Sequence, residues 1–521
     1  MRGQGRQVGF QRERETLEAH KGARNGHSGP QRLQNSGLMN DPQKDTPRYE
    51  WIIFLLFLAT LPLANPWVRG DGVGYYAYAR APLIEHSLDF AHDYQSANQS
   101  FREDRVDANG DPLERFRTRT GRLDNHFTVG PAMLWAPFLL VAHAGVLLAR
   151  ALGSGVAADG FSAPYRYAMA VGTCVYGFLA LLLSYRLTSK YTAGVWAFLA
   201  CVAIWWASSL PVYMYFNPSW SHAHSAFAVA LFLWYWDATR GGRSIAQWVI
   251  LGLATGLMLN VYYANLMAVA VLAVEGAWEY AAILKRKQST GREALDLLKR
   301  YLLFGLVVCI SLLPTFYSRW AVYGGPFETG YLKLRDFLWT SPALIQVLFS
   351  ANHGLLAWTP LLAISLLGVA LLARNMPEGG VPLVAASFAF YMFFALYPDW
   401  AGISSYGNRF FVSLTAIFII GLGVALERFA RMFRRERVAV TVCSAILGVF
   451  ALWNLGLIYQ WGTHLIPARG AISFREAAYN QVYIVPRQLT SQLRAYIFRR
   501  GDLMKQIEQK DVEQLKKEAN P

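Results

Sequence analysis

A carboxylate stands among three glycines soon after the first apolar stretch of the 521-residue chain. The run reads Arg69-Gly70-Asp71-Gly72-Val73-Gly74-Tyr75-Tyr76. Glycines let the backbone bend sharply and approach a ligand closely, so this run predicts a turn that fixes Asp71 just beyond a helix end. A partly desolvated carboxylate in that place can act as general base toward a hydroxyl or an amine. The alternative interpretation is a capping aspartate in a Gly-rich turn, with Tyr75 and Tyr76 as ordinary interfacial tyrosines.

Other ionisable side chains follow Asp71 in a long polar stretch, residues 67–126, which holds ten acidic residues and eight arginines. Asp89 and Asp93 could assist catalysis or order the stretch by pairing with arginines. Asp124 and His126 stand close enough in sequence to contact a substrate together. Most exposed pairs of this kind contribute little free energy, so only a few of these groups are expected to be functional.

Arg409 is the strongest candidate for binding an anion. It follows Gly402, Gly407 and Tyr406 and stands at the mouth of an uncharged run that begins at Phe410. A guanidinium binds phosphate through two parallel hydrogen bonds and offsets charge on a leaving group. The alternatives are an arginine that reaches lipid headgroups, or one that pairs with Asp399.

Two histidines form a third group, in Asn217-Pro218-Ser219-Trp220-Ser221-His222-Ala223-His224. Residues two apart share a face only in extended chain, and in a helix they diverge by about 200°. One of them could face a substrate, or both could be hydrogen-bonded near a helix start. No further metal ligand is close in sequence, so no metal site is predicted.

The elements that position these residues follow from composition. Hydrophobic residues make up 54% of the chain and charged residues 16%, against about 25% charged in soluble domains. A helix needs roughly 20 apolar residues to cross a bilayer. The chain has ten runs without Asp, Glu, Lys or Arg: 51–68, 127–149, 167–185, 191–236, 244–274, 301–318, 337–373, 379–398, 410–426 and 438–468. These runs predict an all-α, polytopic membrane bundle of about eleven to thirteen transmembrane helices with a large first external loop.

Composition also divides the chain into three parts. Residues 1–48 are polar and basic and are predicted to be disordered, with Met39 as the expected start of the functional chain. Residues 49–460 are predicted to form the membrane domain, which includes residues 67–126 as an external catalytic loop. Residues 461–521 are predicted to be a basic, partly amphipathic tail at the membrane surface.

Basic loops orient the bundle. Residues 285–300 and 428–437 are rich in Lys and Arg, which places them in the cytoplasm. Counting crossings from them puts residues 319–336, 399–409 and 217–221 outside. Counting forward from a cytoplasmic N-terminus gives the opposite side for residues 217–221. One segment between 127 and 284 must therefore be re-entrant, interfacial or miscounted, and the sequence does not say which.

The distribution of charge, the missing nucleotide-binding motifs and the positions of the cysteines disfavour several functions. The +15 net charge resides in short loops and tails beside membrane spans, where lipid and topology explain it, so no nucleic-acid partner is expected. No P-loop and no GxGxxG strand–helix motif occurs. All four cysteines lie inside or beside apolar runs, which disfavours a disulfide framework.

The polar segment and its surroundings resemble the GT-C superfamily of integral-membrane glycosyltransferases, and in particular protein mannosyltransferases and bacterial aminoarabinose transferases. The resemblance covers about residues 50–460. It is carried by the first helix followed by Asp71 and by these further runs: 85–94, 121–137, 353–360 and 400–410. The run 121–137 departs from the family's aromatic-proline form, since His126-Phe127-Thr128 stands in its place.

The resemblance implies a multi-pass enzyme of the cell inner membrane that uses a polyprenyl-phosphate-linked sugar. The acceptor would be a glycan, a lipid or a protein on the external face. Asp71 would be the base and Arg409 would bind the donor phosphate. A monophosphate leaves with charge that one cationic side chain can offset, so no cofactor is expected. The alternatives are a transporter, for which intramembrane charges are sparse and no internal repeat is visible, and a non-catalytic membrane scaffold.

Overall fold

The apolar runs fold into helices. The structure is a computed structural model that describes the following residues: 42–97, 101, 103–286, 291–331 and 333–519. Within these ranges there is no β-strand, only two isolated bridges, Val106 with Pro112 and Arg117 with Leu123. The predicted all-α membrane architecture is confirmed. Met39 and most of the predicted disordered segment, residues 1–48, lie outside the described residues.

Twenty α-helices occur in the described residues. The first ten are α1 Pro42–Thr60, α2 Asp71–Arg80, α3 Ala91–Gln95, α4 Gly130–Ala151, α5 Ala163–Thr188, α6 Gly194–Trp206, α7 His222–Thr239, α8 Ile245–Val261, α9 Ala270–Lys285 and α10 Gly291–Ser311. The others are α11 Leu313–Tyr323, α12 Leu344–Phe349, α13 Leu355–Trp358, α14 Leu361–Asn375, α15 Pro377–Leu396, α16 Thr415–Ala430, α17 Glu436–Gly462, α18 Phe474–Tyr479, α19 Val485–Phe498 and α20 Arg500–Ala519.

Shorter 3₁₀ and π segments interrupt or join these helices. They are Leu61–Leu63, Ala81–Glu85, Glu114–Phe116, Val212–Phe216, Tyr263–Val269, Leu334–Asp336, Arg409–Leu414 and Asn480–Ile484. The described part of residues 67–126 thus contains short helices, as predicted, and no separate β-rich domain.

Fewer helices have the length of a membrane span than the sequence suggested. Among the described residues, six are long and apolar enough to cross: Gly130–Ala151, Ala163–Thr188, Tyr263–Lys285, Pro377–Leu396, Arg409–Ala430 and Glu436–Gly462. A seventh arises if α10 and α11, which meet at a 44° bend, form one span. Three shorter apolar helices, α6, α8 and α14, add to the bundle. The expected eleven to thirteen crossings are not reached by length and composition, because some apolar runs fold as short helices or irregular turns.

The helix α16 lies at the centre of the bundle and is buried along most of its length. It packs against α14 backbone to backbone, because Gly368 and Gly421 face each other and a methyl group on either would overlap the opposite main chain. Small residues allow such close approach between membrane helices. Since α16 continues directly from the Arg409–Leu414 segment, this contact also fixes the position of Arg409.

Ion pairs mark one end of the bundle. Lys190 pairs with Asp237 at 2.9 Å near the end of α7, and Arg243 pairs with Glu275 at 2.7 Å. His222, the first residue of α7, lies at the other end. The bundle therefore has a charged, paired end and an end that gathers the residues singled out above.

The chain on both sides of α4 lies near the 67–126 segment. This helix follows directly on the segment, and the loop beyond its far end returns to it. The Tyr76 hydroxyl donates to the Gly160 carbonyl oxygen at 2.7 Å, and Arg80 donates to the Asp159 carbonyl oxygen at 3.5 Å. By length and composition α4 is nevertheless one of the helices that could span a membrane.

The C-terminal helices pack against this same end of the bundle. The Tyr496 hydroxyl donates to the Leu63 carbonyl oxygen at 2.7 Å, and the Arg500 guanidinium donates to the Pro62 carbonyl oxygen at 2.6 Å. Both acceptors lie just before the 67–126 segment. The sequence left the side of this tail open, and these contacts place it beside Asp71.

Candidate functional site

Asp71 is the first residue of α2 and not part of a flexible turn. The turn is confined to Gly70, whose φ of 53° is a left-handed value that suits glycine. The glycines that follow are helical and tightly packed, since a methyl group at Gly72 would overlap Ser219 and one at Gly74 would overlap Phe127. These glycines therefore permit close packing of the helix that carries the carboxylate, which corrects the expectation of flexibility.

Asp71 and Arg409 meet although 338 residues separate them in the chain. The Arg409 Nη1 atom lies 2.6 Å from the Asp71 Oδ2 atom. The Arg409 side chain is 12% exposed and that of Asp71 is 34% exposed. Both candidates are therefore at one end of the bundle, as predicted. The alternative partner of Arg409, Asp399, is exposed.

An aromatic ring also holds the guanidinium. Its central carbon lies 4.6 Å from the ring centroid of Trp220, a cation–π arrangement. The indole N–H of Trp220 donates to the Arg69 carbonyl oxygen at 3.1 Å, so this ring joins the segment before Asp71 to Arg409. A Cβ atom at Gly402 would lie 3.3 Å from Arg409 Nε, and the φ of Gly402 is 69°. Both the backbone shape and the space at that position therefore favour glycine.

Several buried polar atoms near this pair have no partner among the described residues. They include Arg409 Nε, Ser219 Oγ, Ser221 Oγ and His222 Nδ1. Buried polar groups are almost always hydrogen-bonded, and each exception calls for an explanation. An unpartnered donor on a guanidinium whose Nη1 already binds a carboxylate is the arrangement expected where a ligand supplies the missing acceptor.

Aromatic side chains enclose the pair. Tyr75 is one helical turn from Asp71 and its ring packs 4.8 Å from that of Phe127. Burial is the main cause that raises the pKa of Tyr75, and the Asp71 carboxylate raises it further. Burial likewise raises the pKa of Tyr331. Both phenols are therefore neutral at physiological pH.

The structure separates the other two predicted catalytic acids from Asp71. Asp93 is buried and both of its carboxylate oxygens accept hydrogen bonds from Arg80, at 2.6 and 2.7 Å. Arg80 ends α2, roughly 14 Å along the helix axis from Asp71. Asp89 is exposed and accepts from the Ala91 backbone N–H at 3.1 Å. The geometry gives Asp93 a structural partner and leaves Asp89 at the surface.

Asp124 and His126 lie on the chain that leads from the polar segment into α4. The Tyr323 hydroxyl donates to Asp124, and the His126 ring lies 4.9 Å from that of Tyr331. Burial is the main cause that lowers the pKa of His126, although Asp124 opposes it. The imidazole is therefore neutral at physiological pH and borders the aromatic enclosure.

An arginine that the sequence did not single out anchors this part of the chain. Arg319 is buried and donates to the carbonyl oxygens of Asn125, His126 and Phe127 at 3.2, 2.8 and 2.8 Å. It was expected on the external side, and these contacts agree with that count. The only sequence signal was an arginine placed directly after the uncharged run 301–318.

The two histidines diverge, as expected for a helical start. The His222 ring lies 4.6 Å from that of Tyr213 and 6.1 Å from that of Trp220, beside the ion pair. The His224 ring instead lies 5.0 Å from that of Trp135. Among the described residues, no group of three or more His, Cys, Asp or Glu side chains could hold a metal ion.

The last two tyrosines predicted at the site, Tyr406 and Tyr76, lie on different sides of it. The Tyr406 backbone N–H donates to the Tyr213 hydroxyl oxygen at 3.1 Å, and the Tyr406 hydroxyl donates to Asn454 at 2.8 Å. It therefore supports the chain before Arg409 from within the bundle. Tyr76 faces away from the pair, since its ring packs against Trp135 at 6.2 Å and its hydroxyl binds Gly160.

The C-terminal helix contributes a carboxylate that sequence reasoning missed. Asp511 lies 2.5 Å from Arg69 Nη1 and 2.6 Å from His464 Nε2. Arg69 is two residues before Asp71, so α20 borders the approach to the site. The only sequence signal was the amphipathic pattern of the tail, which predicted a membrane contact and not this one.

Comparison with known proteins gives a structural similarity but no match in sequence. No protein-family model matches the chain, and no curated protein matches it. The chain is similar to the crystal structure of an oligosaccharyltransferase from Archaeoglobus fulgidus in the apo form, at 15% sequence identity and a TM-score of 0.44. The similarity covers 84% of this chain, which spans about half (54%) of that one.

Proposed function

We propose that this multi-pass membrane protein is a glycosyltransferase of the GT-C type. It moves a sugar from a polyprenyl-monophosphate donor to an acceptor on the external face of the cell inner membrane, with a glycan, a lipid or a protein as the acceptor. The observation that carries the proposal is the Arg409 side chain, which is largely buried and keeps an unpartnered Nε donor next to the Asp71 carboxylate. A cation and a base within one hydrogen bond of each other suit a reaction in which a phosphate leaves as a hydroxyl attacks.

Arg409 is suited to the donor phosphate. A polyprenyl phosphate keeps its chain in lipid and its phosphate at headgroup level, where the apolar helix α16 begins beyond Arg409. A guanidinium whose Nε and one Nη face a ligand can form two parallel hydrogen bonds with phosphate. The same contacts stabilise the negative charge that grows on the phosphate as the glycosidic bond breaks.

Asp71 is suited to the acceptor. The acceptor hydroxyl oxygen forms a bond to the anomeric carbon while the bond from that carbon to the phosphate oxygen breaks. The hydroxyl proton passes to Asp71, and the electron pair of the broken bond leaves with polyprenyl phosphate. One carboxylate acting as a base in a single displacement predicts inversion at the anomeric carbon.

The ion pair links the two roles. A phosphate that binds Arg409 competes with Asp71 for the same guanidinium, so donor binding releases carboxylate lone pairs for the acceptor proton. The carboxylate is thus a weaker proton acceptor before the donor is bound and a stronger one afterwards. Removing a base typically lowers the rate by about 10²–10⁴-fold.

The test is sugar transfer by purified full-length protein in lipid nanodiscs. Radiolabelled polyprenyl-phosphate sugars are supplied one at a time with a membrane extract as the source of acceptors, and product and released polyprenyl phosphate are measured. Asp71→Asn and Arg409→Gln should each abolish transfer. Asp111→Asn and Arg335→Gln are matched controls at exposed positions and should retain it. Full turnover by folded Asp71→Asn protein would refute the assignment of the base.

A further inference from the structure

A second cavity lies on the opposite face of the helix that carries Asp71. Val73 and Tyr76 of α2 line it, whereas Tyr75, one turn from Asp71, belongs to the Arg409 side. Its volume is about 660 Å³, and Met504 and Lys505 of the C-terminal helix α20 form another part of its wall. The cavity is therefore separate from the ion pair, with α2 between them.

Positive charge dominates this cavity. Arg166, Arg500 and Lys505 line it. The Arg500 guanidinium donates to main-chain carbonyl oxygens, so no carboxylate offsets its charge. In the described part of the chain, no ion pair joins Arg166 or Lys505 to an acidic side chain.

Two carboxylates also line the cavity, and they do not cancel its charge. Both oxygens of Asp93 accept from Arg80, so this acid is already neutralised. Glu508 contributes one further negative charge. Three cations against the Glu508 carboxylate leave the cavity with a net positive charge, which favours an anionic occupant.

An apolar groove continues from this cavity. It has a volume of about 660 Å³ and runs between α4 and α5, where Phe138, Val141, Gly145 and Val146 line it. Tyr167 lines both the groove and the cationic cavity, so the two spaces meet at this side chain. Val141 is 75% exposed, which shows that the groove opens sideways from the bundle.

We propose that these two spaces together bind one lipid with an anionic headgroup. Its chain lies in the groove between α4 and α5, and its phosphate or carboxylate group lies among Arg166, Arg500 and Lys505. The occupant follows from charge and continuity, since an apolar channel ends in a cationic chamber at the end of the bundle. The site goes beyond the proposed function, because it stands whether or not the protein transfers a sugar.

The test measures lipid binding to purified full-length protein in a neutral detergent by native mass spectrometry. Dioleoylphosphatidylglycerol is the probe. Dioleoylphosphatidylcholine, with the same acyl chains and no net charge, is the control for charge, and glycerol 3-phosphate, an anionic headgroup without acyl chains, is the control for the chains. The phosphatidylglycerol should bind about tenfold more tightly than the phosphatidylcholine, because charge-assisted hydrogen bonds are lost with the neutral lipid. Glycerol 3-phosphate should not displace it at equal concentration.

Variants test the two spaces separately. Arg166→Gln/Lys505→Gln should weaken phosphatidylglycerol binding about tenfold and leave phosphatidylcholine binding unchanged. Gly145→Phe should weaken both lipids, since a Cβ there meets no atom within 4 Å and the ring can fill the groove without a clash.

The matched control for the cationic cavity is Arg286→Gln/Lys299→Gln, at exposed positions in another part of the chain. The matched control for the groove is Gly448→Phe, whose Cβ also meets open space. Both should bind the lipids as the unaltered protein does, and a thermal melt should show that every variant is folded. Equal affinity for the two lipids, or unchanged binding in both site variants, would overturn the proposal. Displacement of the lipid by glycerol 3-phosphate alone would overturn the role of the groove.

Discussion

The contact between Asp71 and Arg409 predicts that loss of the carboxylate tightens the binding of a phosphate. In Asp71→Asn the guanidinium no longer has an internal carboxylate partner, and a polyprenyl phosphate no longer meets a negative charge at Arg409. Transfer should cease, because the base is gone, while the affinity for polyprenyl phosphate rises. A variant that is inactive and yet binds the leaving group better is not expected of a carboxylate with a purely structural role.

The size of the effect follows from the geometry. Two unit charges about 4 Å apart interact by about 4 kcal/mol at an effective dielectric constant of 20, and this would be the repulsion between Asp71 and a phosphate on Arg409. The Asp71 side chain is 34% exposed, so water screens the repulsion, and about 1–2 kcal/mol is a realistic net value. That energy corresponds to a dissociation constant about 5–30 times lower in the variant.

The assay is a calorimetric titration of purified protein with a short-chain polyprenyl phosphate at pH 7. Asp71→Asn should bind more tightly than the unaltered protein, Arg409→Gln should show little binding, and Asp111→Asn should match the unaltered protein. A thermal melt checks folding, since loss of the ion pair should lower the unfolding free energy by about 1 kcal/mol. Equal or weaker binding by Asp71→Asn would show that the carboxylate and the phosphate do not share Arg409.

Two further outcomes are expected. Gly72→Ala should lower the melting temperature and the transfer rate together, because the added methyl group overlaps Ser219 and overpacking costs about 1–3 kcal/mol; Gly448→Ala, inside α17, where no atom lies within 4 Å of the new Cβ, is the comparison. Burial opposes ionisation of Asp511, but His464 and Arg69 outweigh it and lower its pKa. The docking of α20 that depends on this carboxylate should therefore persist above the ordinary aspartate pKa of about 4 and weaken as pH falls below it. Hydrogen exchange of the α20 backbone amides, corrected for the pH dependence of the intrinsic exchange rates, measures this docking. Unchanged protection of α20 at pH 3 would contradict the prediction.

Composition was sufficient to predict the class of fold, and the basic loops were sufficient to bring Asp71 and Arg409 together. Long uncharged runs can satisfy their backbone groups in lipid only as helices or closed barrels. The count from residues 285–300 and 428–437 placed both residues at one end of the bundle, and the 2.6 Å contact agrees. What each side chain does chemically stays a prediction.

The helix α4 shows the limit of that approach. Its composition is that of a membrane span, and hydropathy depends on composition alone. The return of the loop beyond its far end to the 67–126 segment is made by contacts of Tyr76 and Arg80 with residues 160 and 159. Those acceptors are main-chain carbonyl oxygens, which every residue carries, so the sequence contains no sign of them.

The glycines beside Asp71 were misread for a related reason. Glycine serves equally where a turn needs left-handed backbone and where helices need close contact. Only Gly70 has the first role, while Gly72 and Gly74 have the second. The partner of Asp93 could not be predicted either, since Arg80 is thirteen residues away and reaches it only because of the turn between them.

The distance along the chain between the members of the ion pair has a consequence for biosynthesis. At about 5–20 residues per second, the 338 residues from Asp71 to Arg409 take roughly 20–70 s to synthesise. During that interval the carboxylate is already in place at the end of the growing bundle, and its guanidinium partner does not yet exist. Asp511, which pairs with Arg69 across 442 residues, arrives later still. A ribosome-bound chain therefore carries every helix of the first half before it carries either complete ion pair, and these pairs form only when the late helices have inserted beside the early ones.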